Sequence, residues 1–238
     1  FMSAEYSPIK KITIRPGFRY AYNSSYKSPL TSSLNTKITH KNYIVRASYS
    51  QGFRAPSIKD LYFNFVDINH NIQGNPDLKA ETSHNFSLSV VKTILKNDKV
   101  FKISASSFYN DINNLIELAI SEGTAYSYFN LERYKTFGGL LNFELAIEHF
   151  KFSITATHTG RYNSLSNELA IDRFSYSPEV RSSAFYNYRR YNIQFAGFYK
   201  YSGKVIGYYI DDAENVQQSL LGDFNMFDLT ITKSFLSN

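Results

Sequence analysis

Apolar and polar side chains alternate with a period of two along most of the chain. Near position 102, for example, Phe101, Ile103 and Ala105 alternate with Lys102 and Ser104. A β-strand points successive side chains to opposite faces, so this pattern predicts strands with one apolar and one polar face. Eleven strands are predicted, at residues 1–6, 11–22, 34–40, 43–53, 82–92, 99–120, 124–148, 151–160, 181–189, 191–203 and 225–236.

Connections between the predicted strands fall into two groups by length. Short turns join some neighbours, as at 95–98, and the connection at 121–123 is also short. Long connections separate the others, near 23–33, 54–81, 161–180 and 204–224. Transmembrane β-barrels combine short periplasmic turns with long outer loops, so the chain is predicted to be an all-β, antiparallel transmembrane β-barrel. A soluble antiparallel sandwich is the alternative. Because bacterial outer-membrane barrels have an even number of strands, eleven strands indicate an incomplete barrel.

Composition removes several other classes of protein. The 238 residues include no cysteine, which excludes disulfides, thiol catalysis and cysteine-based zinc sites. No apolar run reaches the roughly 20 residues of a membrane-spanning helix. Tyr and Phe number 20 each, and aromatic residues near strand ends, such as Tyr49 and Tyr109, are typical of the girdles of a membrane barrel. The net charge of +6 is dispersed, so nucleic-acid binding is not predicted.

One segment carries two linked motifs around the long connection 54–81. The first motif is Gly52-Phe53-Arg54-Ala55-Pro56, and the second is Gly74-Asn75-Pro76-Asp77-Leu78-Lys79-Ala80-Glu81. The combination resembles the TonB-dependent outer-membrane receptors, although Ala80 stands where that family usually has proline. Weaker resemblance extends over nearly the whole chain, as in 14–20 and 228–232.

This resemblance implies a 22-stranded barrel occluded by an N-terminal plug domain. Residues 1–238 are then expected to form part of a single barrel domain, with the plug and the last strands outside this sequence. Residues 1–20 lack the basic start and apolar core of a signal peptide and read as mid-strand, in agreement with an internal piece. The implied location is the outer membrane of a Gram-negative bacterium, and the implied partners are the lipid bilayer and, through the missing N-terminal region, the TonB complex.

Ten motif residues are interpreted as shaping the loop. Pro56 and Pro76 cannot donate to a strand ladder, and Asn75 is suited to a turn. Gly74 permits a positive φ, and Arg54 is expected to pair with Asp77 or Glu81 at the loop root. A short helical turn is predicted at 59–63. The loop-shaping set is Gly52, Phe53, Arg54, Ala55, Pro56, Gly74, Asn75, Pro76, Asp77 and Leu78.

Candidate ligand-binding residues lie between the two motifs. The resemblance implies that His70 ligates haem iron if the receptor takes haem, and imidazole is a common axial ligand. His70 is equally an ordinary polar loop residue beside Asn69 and Asn71. Tyr62 is suited to stacking on a flat ligand, although aromatic loop residues more often pack the loop. The predicted ligand-binding set is His70, Tyr62, Arg54 and Asn69, with no directly bound metal and no resident cofactor.

Function follows from the resemblance rather than from a catalytic motif. The sequence contains no nucleophile elbow, phosphate-binding loop or zinc-protease spacing, so no enzymatic activity is predicted. The expected cargo is a ferric siderophore, then haem, then cobalamin, and a passive porin or adhesin is the alternative from another class. Ligand contacts are also expected from the connections 161–180 and 204–224, and the sequence does not choose among the candidates Arg161, Tyr162, Arg173, Tyr208 and Tyr209.

Basic residues are predicted on the inner face of the barrel. They are Lys37, Arg46, Lys102 and Lys200. A positive lumen favours anionic ligands such as ferric chelates or haem propionates. The alternative is that these charges simply keep the interior hydrated.

Overall fold

Sixteen β-strands and one short α-helix were identified in a computed structural model that describes residues 1–67, 71–122, 125–164, 174–210 and 216–235. The helix α1 spans Ile58–Tyr62, and a 3-10 turn spans Arg189–Tyr191. No helix among the described residues is long and apolar enough to cross a membrane. The strands are β1 Met2–Ser3, β2 Tyr6–Ile9, β3 Ile12–Arg19, β4 Thr31–His40, β5 Tyr43–Arg54, β6 Asn64–Val66, β7 Asn71–Gln73, β8 Glu81–Lys96, β9 Lys99–Glu122, β10 Ala125–Ile147, β11 Phe150–Asn163, β12 Ser175–Tyr188, β13 Ile193–Ser202, β14 Val205–Ile210, β15 Val216–Leu221 and β16 Phe224–Lys233.

Strand order follows chain order along one antiparallel path. The path runs β1-β3-β4-β5-β8-β9-β10-β11-β12-β13-β16, and β1 does not pair with β16. The all-β antiparallel prediction is therefore confirmed, and the described sheet is an open part of a barrel. Strands β14 and β15 form a separate two-stranded sheet.

Several predicted boundaries were wrong. The stretch 1–6 is divided between β1 and β2, and the strand predicted at 11–22 ends at Arg19. The predicted loop 161–180 is partly strand, because β12 begins at Ser175 and continues through Pro178, a residue that lowers any strand prediction. The predicted loops 54–81 and 204–224 contain the short strands β6, β7, β14 and β15. Strands of three to six residues carry little periodicity, so their pairing partners decide them.

One face of the sheet is apolar, with its side chains arranged in rows set by the strand register. An aliphatic row consists of Val90, Ala105, Leu141 and Ala156. Four residues closer to the long loops, an aromatic row consists of Tyr49, Phe86, Tyr109 and Phe137. Nothing in the described structure packs on this face, since Leu141 is 63% exposed and Phe137 is 50% exposed.

The opposite face is polar, and its side chains bond to one another between strands. The hydroxyls of Ser48 and Ser87 are 2.6 Å apart, and those of Ser153 and Ser183 are 2.8 Å apart. Along β9, the eight residue steps from Phe101 to Tyr109, which both lie on the apolar face, rise about 27 Å at 3.4 Å per residue. That height matches the roughly 25 Å apolar band of outer-membrane barrels. One face is therefore suited to lipid and the other to a hydrated lumen.

The β9–β10 hairpin is longer than its neighbours and projects from the sheet. β8 pairs with β9 only as far as Asn113, and β11 pairs with β10 only from Tyr134. Beyond those points β9 and β10 continue together as far as Glu122 and Ala125, a projection of roughly 30 Å. The edge of β10 left open there pairs in parallel with β7, which in turn pairs with β6. The loop between β5 and β8 therefore docks on this hairpin.

Candidate functional site

Helix α1 begins at a reciprocal cap within the loop. The Asp60 amide donates to Ser57 Oγ at 3.1 Å, and the Ser57 amide donates to Asp60 Oδ2 at 2.9 Å. This capping box satisfies amides that the first turn of a helix leaves unpaired. The predicted helical turn is thus confirmed, and Ser57-Ile58-Lys59-Asp60 is its local cause.

Arg54 holds two carboxylates together at the root of the loop. Its Nη1 lies 2.9 Å from Asp60 Oδ2, and its Nη2 lies 3.0 Å from Glu81 Oε1. The Glu81 carboxylate also accepts a hydrogen bond from the Ile116 amide at 2.8 Å. The predicted Arg54–Glu81 pair is present, whereas the alternative with Asp77 is wrong. Arg54 therefore joins β5, α1, β8 and β9.

The Asp60 carboxyl is ionised over a wide pH range. Burial by itself raises the pKa of Asp60, but hydrogen bonds from Ser57 and the charge of Arg54 outweigh it, so the pKa lies below its ordinary value. The side chain of Asp60 is only 10% exposed. A buried carboxylate without a cation would be costly, so Asp60 and Arg54 depend on each other.

Gly74 brings the second motif into contact with α1. Its amide donates to the Phe63 carbonyl at 2.6 Å, and the next amide, of Asn75, donates to the Asp60 carbonyl at 2.8 Å. A Cβ at Gly74 would lie 2.6 Å from the Leu61 carbonyl carbon. Gly74 does not use the positive φ that glycine permits, because its φ lies outside the left-handed region. Glycine is needed here for close backbone approach.

The second motif is hydrogen-bonded to β10 and to Tyr26 in the loop between β3 and β4. The Asn75 side chain accepts from the Asp77 amide at 2.9 Å, as a turn-forming asparagine does, and donates to the Tyr128 carbonyl at 2.9 Å. Leu78 is 3% exposed, and its carbonyl accepts a hydrogen bond from the Tyr26 hydroxyl at 3.0 Å. Ile116 on β9 and Leu131 on β10 are also buried, each 7% exposed. Leu78 thus anchors the loop.

Other motif residues have simpler environments. Gly52 and Phe53 lie near the end of β5, opposite Ser83 and Thr82 in the register. Ala55 is half-buried, Pro56 is buried and Pro76 is exposed. The loop-shaping role of these residues stays a prediction.

Two of the four predicted ligand-binding residues, Arg54 and Tyr62, lie in the described part of the chain. Arg54 is engaged by Asp60 and Glu81. Tyr62 is 69% exposed on α1. His70 and Asn69 lie outside the described residues. The neighbouring Phe63 packs within the loop, with its ring 6.1 Å from that of Phe65 and the Lys59 ammonium 5.1 Å from its centre.

Four of the other candidate ligand contacts lie in described strands. Tyr162 lies on β11, and its ring is 5.9 Å from that of Phe174, the residue directly before β12. Arg161 lies opposite Thr136 in the register of β10 and β11. Tyr208 and Tyr209 belong to β14, and Arg173 lies outside the described residues.

Sequence reasoning missed two residues of the loop root. Asp60 had a local signal, the Ser57-Xaa-Xaa-Asp60 capping pattern. Asn130 had none, although its side chain accepts from the Lys79 amide at 2.7 Å and donates to the Lys79 carbonyl at 3.1 Å. A contact between positions 51 residues apart depends on the register of β9 and β10, which a single sequence does not reveal.

The fold and the loop together define a class of membrane receptor. Residues 1–236 match the family model described as TonB dependent receptor-like, beta-barrel. The chain therefore belongs to the TonB-dependent receptor β-barrel family, and the family resemblance inferred from the two motifs is confirmed.

Similar proteins include both haem-related and siderophore-related members. A stretch of 90 residues is 38% identical to the hemoglobin and hemoglobin-haptoglobin-binding protein C of Haemophilus influenzae, covering 35% of this chain and 8% of that protein. A stretch of 132 residues is 29% identical to the heme/hemopexin utilization protein C of Haemophilus influenzae strain 86-028NP, covering 46% of this chain and 18% of that protein. The crystal structure of the siderophore receptor PirA from Pseudomonas aeruginosa superposes with a TM-score of 0.71 at 16% identity, covering 99% of this chain and 42% of that one. This likeness shows the fold, and the chain spans less than half of these proteins.

Proposed function

We propose that this chain is part of the barrel of a Gram-negative outer-membrane receptor that imports an iron chelate with energy supplied by TonB. Residues 1–238 form part of one barrel domain, and the plug belongs to another part of the complete protein. The observation that carries the proposal is the loop between β5 and β8, whose two family motifs meet through Arg54, Asp60 and Glu81. A loop fixed at its root in this way holds ligand-binding residues at the outer mouth.

Haem, free or presented by a haemoprotein, is the proposed cargo. Support comes from the curated relatives, which are named for haemoglobin, haptoglobin or hemopexin. His70, which immediately precedes β7, is the proposed iron ligand. The sequence alone ranked a ferric siderophore first. That cargo remains the second candidate, since the superposed siderophore receptor carries the same fold.

A haemin titration of the complete detergent-purified receptor tests this assignment. Wild type is compared with His70→Ala, and the haem absorption band is followed. His40→Ala serves as the control, because His40 is an exposed residue at a short turn between β4 and β5. We expect saturable binding in wild type and in the control, and at least tenfold weaker binding in His70→Ala, because loss of an axial bond of about 1.4 kcal/mol or more gives that factor.

The experiments distinguish three claims: that His70 is the ligand, that haem is the cargo, and that import depends on TonB. Equal haemin binding in all three proteins removes His70 as the ligand, and absence of saturable binding returns the siderophore to first place. Uptake of radiolabelled iron chelate in cells with and without TonB tests the broader claim. Uptake that is independent of TonB would instead indicate a passive barrel.

A further inference from the structure

Two cations lie side by side on the polar face, near the end of the sheet that carries the short turns. Lys37 on β4 and Arg46 on β5 are directly opposite in the register, and both are exposed. Each lies three residues from the turn that joins these strands, about 10 Å along the strand. Arg54, at the loop root, is eight residues further along β5, about 27 Å away. The pair is therefore separate from the loop site.

Three other cations on this face, Lys102, Arg181 and Lys200, have acidic partners. Lys102 Nζ lies 2.9 Å from Glu144 Oε1 on the neighbouring strand. Arg181 and Lys200 share Glu179, at 2.8 and 3.6 Å. Within the described part of the chain, neither Lys37 nor Arg46 makes an ion pair or side-chain hydrogen bond. Like charges directly opposite on paired strands are destabilising, so this arrangement favours binding of an anion.

A cavity of about 440 Å³ contains the pair. Its other lining groups are mainly hydroxyl and amide side chains, including Asn35, Ser48, Ser87 and Ser89, and no carboxylate lines it. Ser89 lies opposite Arg46 in the register of β5 and β8. Arg15 also lines the cavity but is engaged by Glu5. A guanidinium, an ammonium and hydroxyl donors on one wall form the donor set that binds carboxylate oxygens.

We propose that Lys37 and Arg46 form a carboxylate-binding subsite on the lumen wall, for an anionic solute that has left the outer loops. This inference rests on the proposed function, because only a hydrated import pathway brings the solute to this wall. Haem propionates and carboxylate-bearing iron chelates share the required chemistry. The subsite lies toward the periplasmic end of the lumen and binds the solute through charge and hydrogen bonds.

Cysteine accessibility in the complete detergent-purified receptor tests the subsite without iron or TonB. Ser89→Cys is made in a background without other reactive cysteines, and this chain itself contains none. Its rate of modification by an anionic methanethiosulfonate sulfonate is divided by its rate with the cationic trimethylammonium analogue. Ser104→Cys is the matched control, because it lies on the same face two residues from the neutralised Lys102–Glu144 pair. Ser87→Cys replaces Ser89→Cys if the latter fails to assemble.

We expect a rate ratio about tenfold higher at position 89 than at position 104, since an unpaired double charge creates a local potential of several kT. Lys37→Met with Arg46→Met should lower the ratio at 89 to that of the control. Citrate, a tricarboxylate probe, should slow modification at 89 only while the two cations are present.

Equal rate ratios at positions 89 and 104, or citrate without effect, would overturn the subsite. Failure of both reagents to react at 89 would show that another part of the receptor covers the wall, and would overturn it too. Because the readout uses neither haem nor import, it remains interpretable if the cargo assignment fails.

Discussion

The loop root and the lumen wall use charge in opposite ways. At the root, Arg54 is paired with Asp60 and Glu81, whose side chains are 10% and 13% exposed. On the wall, the exposed Lys37 and Arg46 face each other without an acidic partner among the described residues. Ionised groups removed from water require partners fixed in the fold, whereas exposed charges are solvated and can exchange partners. The comparison indicates that the root fixes structure and the wall is available to a solute.

Removing the cation at the root should have the largest effect. Arg54→Met leaves two largely buried carboxylates without their shared partner. We expect the local opening free energy of the loop to fall by about 2 kcal/mol, roughly 30-fold in hydrogen-exchange protection. The readout is the amide of Leu61 in α1, which donates to the carbonyl of the capping residue Ser57. Arg15→Met is the control, because its pair with Glu5 is 60% and 52% exposed and should contribute no more than about 1 kcal/mol. If Arg15→Met lowers hydrogen-exchange protection in β3 as much as Arg54→Met lowers it in α1, the two ion pairs do not differ in the way proposed.

Acid should weaken the root by a smaller amount. The pKa of Asp60 is lowered in the folded protein, so its stabilising contribution is present above the pKa of an unfolded aspartate, about 3.9, and is lost as the pH falls through the lower folded value. The effect is smaller than that of Arg54→Met because protonating Asp60 leaves the other carboxylate paired. Protection of the Leu61 amide, followed from pH 5 toward 2, should fall in wild type and change less in Asp60→Asn. Identical pH profiles would remove Asp60 as the acid-sensitive group.

Neutralising one cation on the wall should give the smallest effect, with the opposite sign. Lys37→Met removes a like-charge neighbour of Arg46 and should stabilise the β4–β5 pairing by about 0.5 kcal/mol. Lys102→Met, which removes a cation paired with Glu144, should destabilise β9–β10 by a similar amount. Exchange of strand amides in low salt measures both, since screening reduces such effects. The same sign in both variants would mean that Lys37 and Lys102 have equivalent surroundings.

Local sequence was sufficient for the parts of the site that depend on neighbours along the chain. Alternation located the strands of the main path, and the residues around Lys59 and Asp60 predicted α1, which a capping box at Ser57 confirms. Asn75 was expected in a turn and accepts the Asp77 amide. These features arise from interactions over two to four residues, which a single sequence displays directly.

The short strands in the long connections could not be predicted from the local sequence pattern. β6 and β7 have three residues each, and β7 pairs in parallel with an edge of β10 more than 50 residues away. Their alternation is too brief to distinguish them from loop. The open edge of β10 is created only because β11 ends at Asn163, so the pairing follows from the lengths of other strands.

The sequence by itself determined the all-β class and the membership of the chain in a receptor family. Tertiary structure decided which carboxylates Arg54 holds and why position 74 is glycine, since both depend on α1 meeting the second motif. It also decided that Lys37 and Arg46 are adjacent while Lys102 has a partner. Periodicity fixes which face of a strand a side chain occupies, but only strand register fixes the side chain opposite it.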